Sequence, residues 1–166
     1  MVEYLHQVDV EDNEIGKVER NYAHKNKILH RSGGVFVLNS KKEIFITKRN
    51  SSKTIFPNCF DLSCAFHVKF EQSYAEAAIA ELFEENEIKA KKEDLIYLGK
   101  FLLDENPDHL VGSVYKIIFD GKVIATPDEL SEGKFCSFEE VEEIIANKKT
   151  TMWLRKSWEL FKDELC

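Results

Sequence analysis

The first half of the chain alternates short apolar runs, rich in β-branched and aromatic residues, with polar breaks. Residues 33–38 (GGVFVL) and 43–48 (EIFITK) flank Asn39-Ser40-Lys41-Lys42 and predict a β-hairpin. A polar loop from Arg49 to Pro57 follows, then a short strand near Phe60–Ala65. Ser73 with Glu76 three residues later predicts a capping box that opens a helix over 73–87. Residues 94–103 and 110–119 read as longer strands, and Asp120-Gly121 marks a turn. Ser137 and Glu140 form a second capping box, for a helix to about Asn147. From Thr151 onward, Leu154, Trp158, Phe161 and Leu165 recur at helical spacing, the stripe of a helix packed on a core. Trp153 and Trp158 belong to that helix and read as core residues. Strands, helix, strands and two helices predict an α+β fold, an α/β/α sandwich with a mixed sheet between helices.

Length fits a single domain, 1–166, in which residues 1–30 are expected to form an N-terminal extension packed on the rest. The formal net charge is −7, and no basic cluster is dense enough to follow a phosphate backbone, which argues against a nucleic-acid polymer as partner. A local group of Lys and Arg with a bound cation still suits a small anion. The first residues are acidic where a signal peptide is basic and then apolar, and no apolar run approaches membrane-spanning length. A cytoplasmic location without membrane contact is therefore expected. Cys59, Cys64, Cys136 and Cys166 lack metal-finger spacing and read as buried or free thiols. Lys162-Asp163-Glu164-Leu165 is followed by Cys166 and reads as a helix end rather than a retention signal.

Candidate chemistry gathers on the helix over 73–87. Glu81, Glu84 and Glu85 stand at i, i+3 and i+4, so a helix projects all three from one side within about one turn. Like charges so placed repel and invite a compensating cation, and hard divalent ions prefer carboxylate oxygens. The plainer alternative is a solvated acidic face.

The stretch from Ala65-Phe66-His67-Val68 to Glu81-Leu82-Phe83-Glu84-Glu85-Asn86-Glu87-Ile88 resembles the Nudix box, G-x5-E-x7-R-E-U-x-E-E-x-G-U with U aliphatic. Glu81, Leu82, Glu84, Glu85 and Ile88 match; Phe66 and Glu87 replace the glycines, Gln72 the first glutamate and Ala80 the arginine. The likeness extends through Val8 to Gly16, Leu29-His30-Arg31, Thr47-Lys48-Arg49, Lys53, Phe56-Pro57 and Ser63 to Val68, in the manner of isopentenyl-diphosphate isomerases and their hydrolase relatives.

That resemblance implies a helix–sheet–helix fold and Mg²⁺ or Mn²⁺ held by Glu81, Glu84 and Glu85. It makes Glu84, Glu85 and a loop acid, Glu129 first and Glu132 or Glu105 in reserve, the catalytic candidates. Arg49, Lys53 and His67 would bind a small diphosphate substrate, Arg as a planar fork and Lys as a point charge. The isomerase's metal histidines map loosely to His24, His30 and His67, but its thiol position falls on Ala65, with Cys64 one residue early and hence on the opposite face of a strand. Its later glutamate pair has no counterpart in 110–115.

The expected activity is hydrolysis of a small diphosphate-linked compound. A non-catalytic Nudix-like module that binds a ligand or a protein is the alternative, and isoprenoid-diphosphate isomerisation comes third. The departures carry expectations of their own. Without the arginine, the glutamates should repel and titrate high. Glu87 should be strained or pass the helix-ending turn to Asn86, and Phe66 should crowd the pocket.

Overall fold

The computed structural model describes residues 1–165; Cys166 lies outside the described residues. The elements, in chain order, are β1 (Tyr4–Val8), β2 (Glu14–Glu19), α1 (Arg20–Asn26), β3 (His30–Leu38), β4 (Ile44–Arg49), β5 (Phe60–Asp61), β6 (Cys64–His67), α2 (Tyr74–Asn86), β7 (Ile96–Glu105), β8 (Asp108–Ile118), β9 (Leu130–Cys136), α3 (Phe138–Asn147) and α4 (Met152–Phe161). Single 3₁₀ turns cover Lys92–Asp94 and Lys162–Glu164.

Strand β3 organises the sheet. It runs parallel to β8 from His30↔Leu110 to Leu38↔Ile118 and antiparallel to β6 from Ser32↔His67 to Val35↔Cys64. Its side chains alternate between two cores, as strand geometry requires. Phe36 and Leu38 join Leu154, Trp158 and Val141 under α3 and α4, whereas Val35 and Val37 join Ala77, Ala78 and Leu82 under α2. The molecule is thus the α/β/α sandwich with a mixed sheet. The same alternation on β6 sends Cys64 and Phe66 into the α2-side core and leaves Ala65 and His67 for the other face. Gly33 makes this possible: a Cβ there would stand 2.4 Å from Cζ of Phe66.

The hairpin expected from residues 33–48 is corrected in one respect. Both strands form, but β3 and β4 pair only at Leu38↔Ile44, because β8 and β6 already occupy the two edges of β3. Strand β4 instead pairs with β9 from Ile44↔Cys136 to Arg49↔Leu130, and the sheet curls. The single strand expected near 60–65 is two short ones, β5 on β4 and β6 on β3.

Helix α2 begins as the sequence predicts, with Ser73 accepting from the Glu76 amide and Glu76 reaching back to the Ser73 amide. At its other end Glu87 itself takes the left-handed conformation, φ 56°. Asn86 does not take over the turn, since it is fully buried and its Nδ2 donates to the Ile124 carbonyl at 3.2 Å. Cys59, Cys64 and Cys136 are buried free thiols. No helix among the described residues is long and apolar enough to cross a membrane.

Candidate active site

Three chain segments converge beside the exposed edge of α2. Thr126 ties the loop after β8 to the end of that helix, its Oγ1 donating to the Glu85 carbonyl at 2.7 Å and its amide to the same oxygen at 3.0 Å. Asn50 ties the loop after β4 to the same place, its amide donating to the Glu129 carbonyl at 3.1 Å and its Nδ2 to the Pro127 carbonyl at 2.8 Å. These backbone staples bring Glu129 onto Lys53, with which it forms an ion pair. The product is a cavity of about 260 Å³ lined by Glu81, Glu84, Glu85 and Glu129 together with Arg20, Arg49, Lys53 and His67.

The acids there differ in setting. Glu85 is 8% exposed, and its carboxyl is pushed up to about 8 by burial first and by the Glu81 charge second. Glu81 is half-buried and lifted to about 7 by burial and then by Glu84. Glu84 is exposed, and Glu129 is half-exposed. Among the described residues no side chain or amide donates a hydrogen bond to Glu81 or Glu85, so their oxygens are available to a cation. Lys53 and Arg49 are the charges that oppose the upward shift of Glu85. Burial and the neighbouring Arg49 in turn lower the Lys53 ammonium.

A second and larger cavity, about 730 Å³, shares Arg20, Arg49, Lys53 and His67 with the first and extends past His24, Asp61 and Asp108 to Leu110 and Trp153. At its edge His24, His30 and His67 bring one ring nitrogen each within 4.8 Å of the others. They come from α1, β3 and β6. Nδ1 of His30 lies 2.8 Å from the Ile28 carbonyl and must donate to it, because a carbonyl only accepts. Among the described residues Nε2 of His30 is then left without a hydrogen-bond partner and buried, as is Nδ1 of His24, while Nε2 of His24 lies 3.0 Å from Nε2 of His67. Burial holds all three imidazoles below the usual histidine range, His30 to about 4, so they are neutral near pH 7. Neutral nitrogens with one ring position fixed by a carbonyl suit a transition-metal ion.

Of the residues singled out in the sequence, Glu81, Glu84, Glu85, Glu129, Arg49, Lys53 and His67 line the smaller cavity. Glu132 is instead paired with Lys48 at 3.1 Å, and Glu105 lies exposed at the end of β7. The expectation that Phe66 would fill the pocket is corrected in degree: it lines both cavities, but it is 5% exposed, its ring packs against Gly33, and a cavity of about 260 Å³ remains beside it.

Sequence reasoning missed Arg20, Asp61 and Asp108. Asp108 is 6% exposed, its Oδ2 has no partner, and burial raises its carboxyl to about 6. The expected strand began at Leu110, two residues too late to include it. Cys64 lines neither cavity, and burial drives its thiol well above the ordinary range.

This fold, with acids on the helix of the box and cations from the β4 loop, defines a class. The chain belongs to the NUDIX domain family, whose model matches residues 28–158. Among its relatives, isopentenyl-diphosphate Delta-isomerase 1 of Photorhabdus laumondii is 30% identical over 91% of this chain and 90% of that protein. An uncharacterized Nudix hydrolase of Pseudomonas aeruginosa is 27% identical over 77% of this chain and 75% of that one. The crystal structure of DR0079 from Deinococcus radiodurans superposes with a TM-score of 0.77 at 23% identity, covering 93% of this chain and 98% of the other. At that identity the last comparison speaks for the fold.

Proposed function

We propose that the protein hydrolyses the anhydride bond of a small diphosphate-linked compound with the help of Mg²⁺ or Mn²⁺. The observation that carries this reading is the pairing, in one cavity, of Glu81 and Glu85, which no donor among the described residues satisfies, with Arg20, Arg49 and Lys53. Carboxylate oxygens suit either ion, and Glu81, Glu84 and Glu85 would hold it. At that site a divalent ion would supply the lowering of a water's pKa and the neutralising of charge on phosphoryl oxygens. Arg49 and Lys53 bind and orient the diphosphate, the first by a planar fork and the second as a point charge. Glu129, which lines the same cavity and pairs with Lys53, would accept a proton from the attacking water.

The test is turnover of a panel of nucleoside and isoprenoid diphosphates by the full chain with Mg²⁺ or Mn²⁺, set against Glu85→Gln. Rates at least ~10-fold above that variant are expected, since the loss of even a residue that supports a metal ligand typically costs about 10–100-fold. Turnover no higher than the variant's ends the hydrolase reading, and binding without turnover points to a non-catalytic module.

The convergence of His24, His30 and His67 favours a second reading, isomerisation of an isoprenoid diphosphate, in line with the Photorhabdus relative. Ala65 on the cavity face and Cys64 in the opposite core count against it, since among the described residues neither cavity is lined by a thiol. Solvent deuterium entering the substrate would support isomerisation; its absence disposes of it.

A further inference from the structure

Asp61 is a carboxylate that the fold has buried to 4% exposure at the boundary of the larger cavity. Its two oxygens have separate duties. Oδ1 accepts from the Thr151 hydroxyl at 2.7 Å and from the Leu62 amide at 2.9 Å, which ties the side chain to the residue that caps α4. Oδ2 faces Nη1 of Arg49 at 3.6 Å, an ion pair too long for a hydrogen bond. Arg49 is fixed a second time by Nε, which donates to the Ile55 carbonyl at 3.2 Å. A guanidinium has five N–H donors in one plane, so the Ile55 bond and the Asp61 charge together orient the group and leave donors for a ligand.

Arg49 also has a cationic neighbour. Lys53 stands close enough for the Arg49 charge to depress it, and both line the two cavities. Each cation has an acid partner, but the partners differ. Glu129 against Lys53 is half-exposed and joined to solvent, so an incoming anion displaces it at small cost. Asp61 is held in place by Thr151 and Leu62 and does not leave. A buried carboxylate is costly to keep charged, and burial does raise this one, with Arg49 first among the influences that oppose the rise.

We propose that Asp61 is a positioning residue that aims the Arg49 guanidinium at the phosphoryl oxygens of the ligand, through the 3.6 Å ion pair and its own anchorage on Thr151. The inference deepens the hydrolase reading and rests on its assignment of Arg49 to the diphosphate. It concerns binding, so its test does not depend on turnover.

The experiment is calorimetric titration of inorganic diphosphate, with Mg²⁺, into the full chain as wild type, Asp61→Asn, Arg49→Ala and the double variant, with kcat and KM for any substrate found. Asparagine keeps Oδ1 for Thr151 and Leu62 and turns an amide toward Arg49. Asp61→Asn is expected to weaken diphosphate binding by about tenfold in the wild-type background and by less than ~2-fold when Arg49 is already alanine, with KM raised and kcat little changed. Arg49→Lys, which keeps the charge and loses the fork, is expected to lose about tenfold whether or not the asparagine variant folds.

Equal losses from Asp61→Asn in both backgrounds, or wild-type affinity in Arg49→Lys, overturn the positioning role and leave the hydrolase reading standing. A wild-type protein that binds no diphosphate overturns the anion site and this inference together.

Discussion

Glu85 carries a carboxyl held near 8, so in the absence of a cation it is protonated at neutral pH. The sequence led to the expectation that losing the box arginine to Ala80 would raise the glutamates by mutual repulsion. Glu81 and Glu85 are raised, but burial is the larger cause and repulsion the second. The consequence for stability has a definite sign. A carboxyl lifted from 4.5 to about 8 on folding binds more protons folded than unfolded between those values, so metal-free protein loses stability as pH rises through that window. The neutral histidine trio acts in the opposite sense below about 6.5, where the unfolded chain takes up protons the folded one refuses. Thermal melts of metal-free protein should therefore fall from ~pH 6 to ~pH 9, and Glu85→Gln should flatten part of that fall. Mg²⁺ should raise the melting temperature more at the alkaline end, where the carboxylates are already ionised. A melting temperature indifferent to pH and to Mg²⁺ would remove the cation from this site.

Helix α2 is the element on which the site depends, and its two ends were legible to different degrees. The Ser73 capping box is a local exchange of hydrogen bonds over four residues, and a sequence window of that size contains all of it. The C-terminus is not local. Asn86 would accept the left-handed turn more readily than Glu87, yet its side chain is committed to Ile124, thirty-eight residues further on, and the strain passes to Glu87. Glu87→Gly should relieve it and stabilise the protein by about 1 kcal/mol in urea unfolding, without moving Glu81, Glu84 or Glu85. A destabilising outcome would mean that the Glu87 side chain has a role its exposure conceals. Strand β9 escaped detection for the same reason: Leu130-Ser131-Glu132-Gly133-Lys134 is polar and contains a glycine, and it becomes a strand only because β4 offers it an edge.

At the scale of the whole molecule, the site exists because two helical layers close on one sheet at fixed distance. Gly112 on β8 shows how tight the α4 side is, since a Cβ there would stand 2.1 Å from Cη2 of Trp153, which lines the larger cavity. Gly112→Ala should cost ~1–3 kcal/mol by overpacking, and the displaced indole should weaken ligand binding as well; urea unfolding and calorimetry measure the two. The segment before residue 28 lies outside the matched family domain, yet it supplies His24 to the histidine trio and Arg20 to both cavities. It reaches the sheet through Gln7↔His30 and the Leu5–Lys69 bridge, pairings that no short window contains.

By itself, the sequence determined the layered class of fold and the helix with Glu81, Glu84 and Glu85 on one side, because capping, periodicity and i, i+4 spacing act over a few residues, while the candidacy of Arg49 and Lys53 came from the resemblance to the Nudix pattern. Only the tertiary structure decided that the Phe66 ring packs against Gly33, that Glu129 meets Lys53, that three histidines from α1, β3 and β6 converge, and that Asp61 and Asp108 are buried beside them. Each of those depends on strand register or on a staple between distant loops, and register is fixed by which edges of the sheet remain free once the earlier strands have paired.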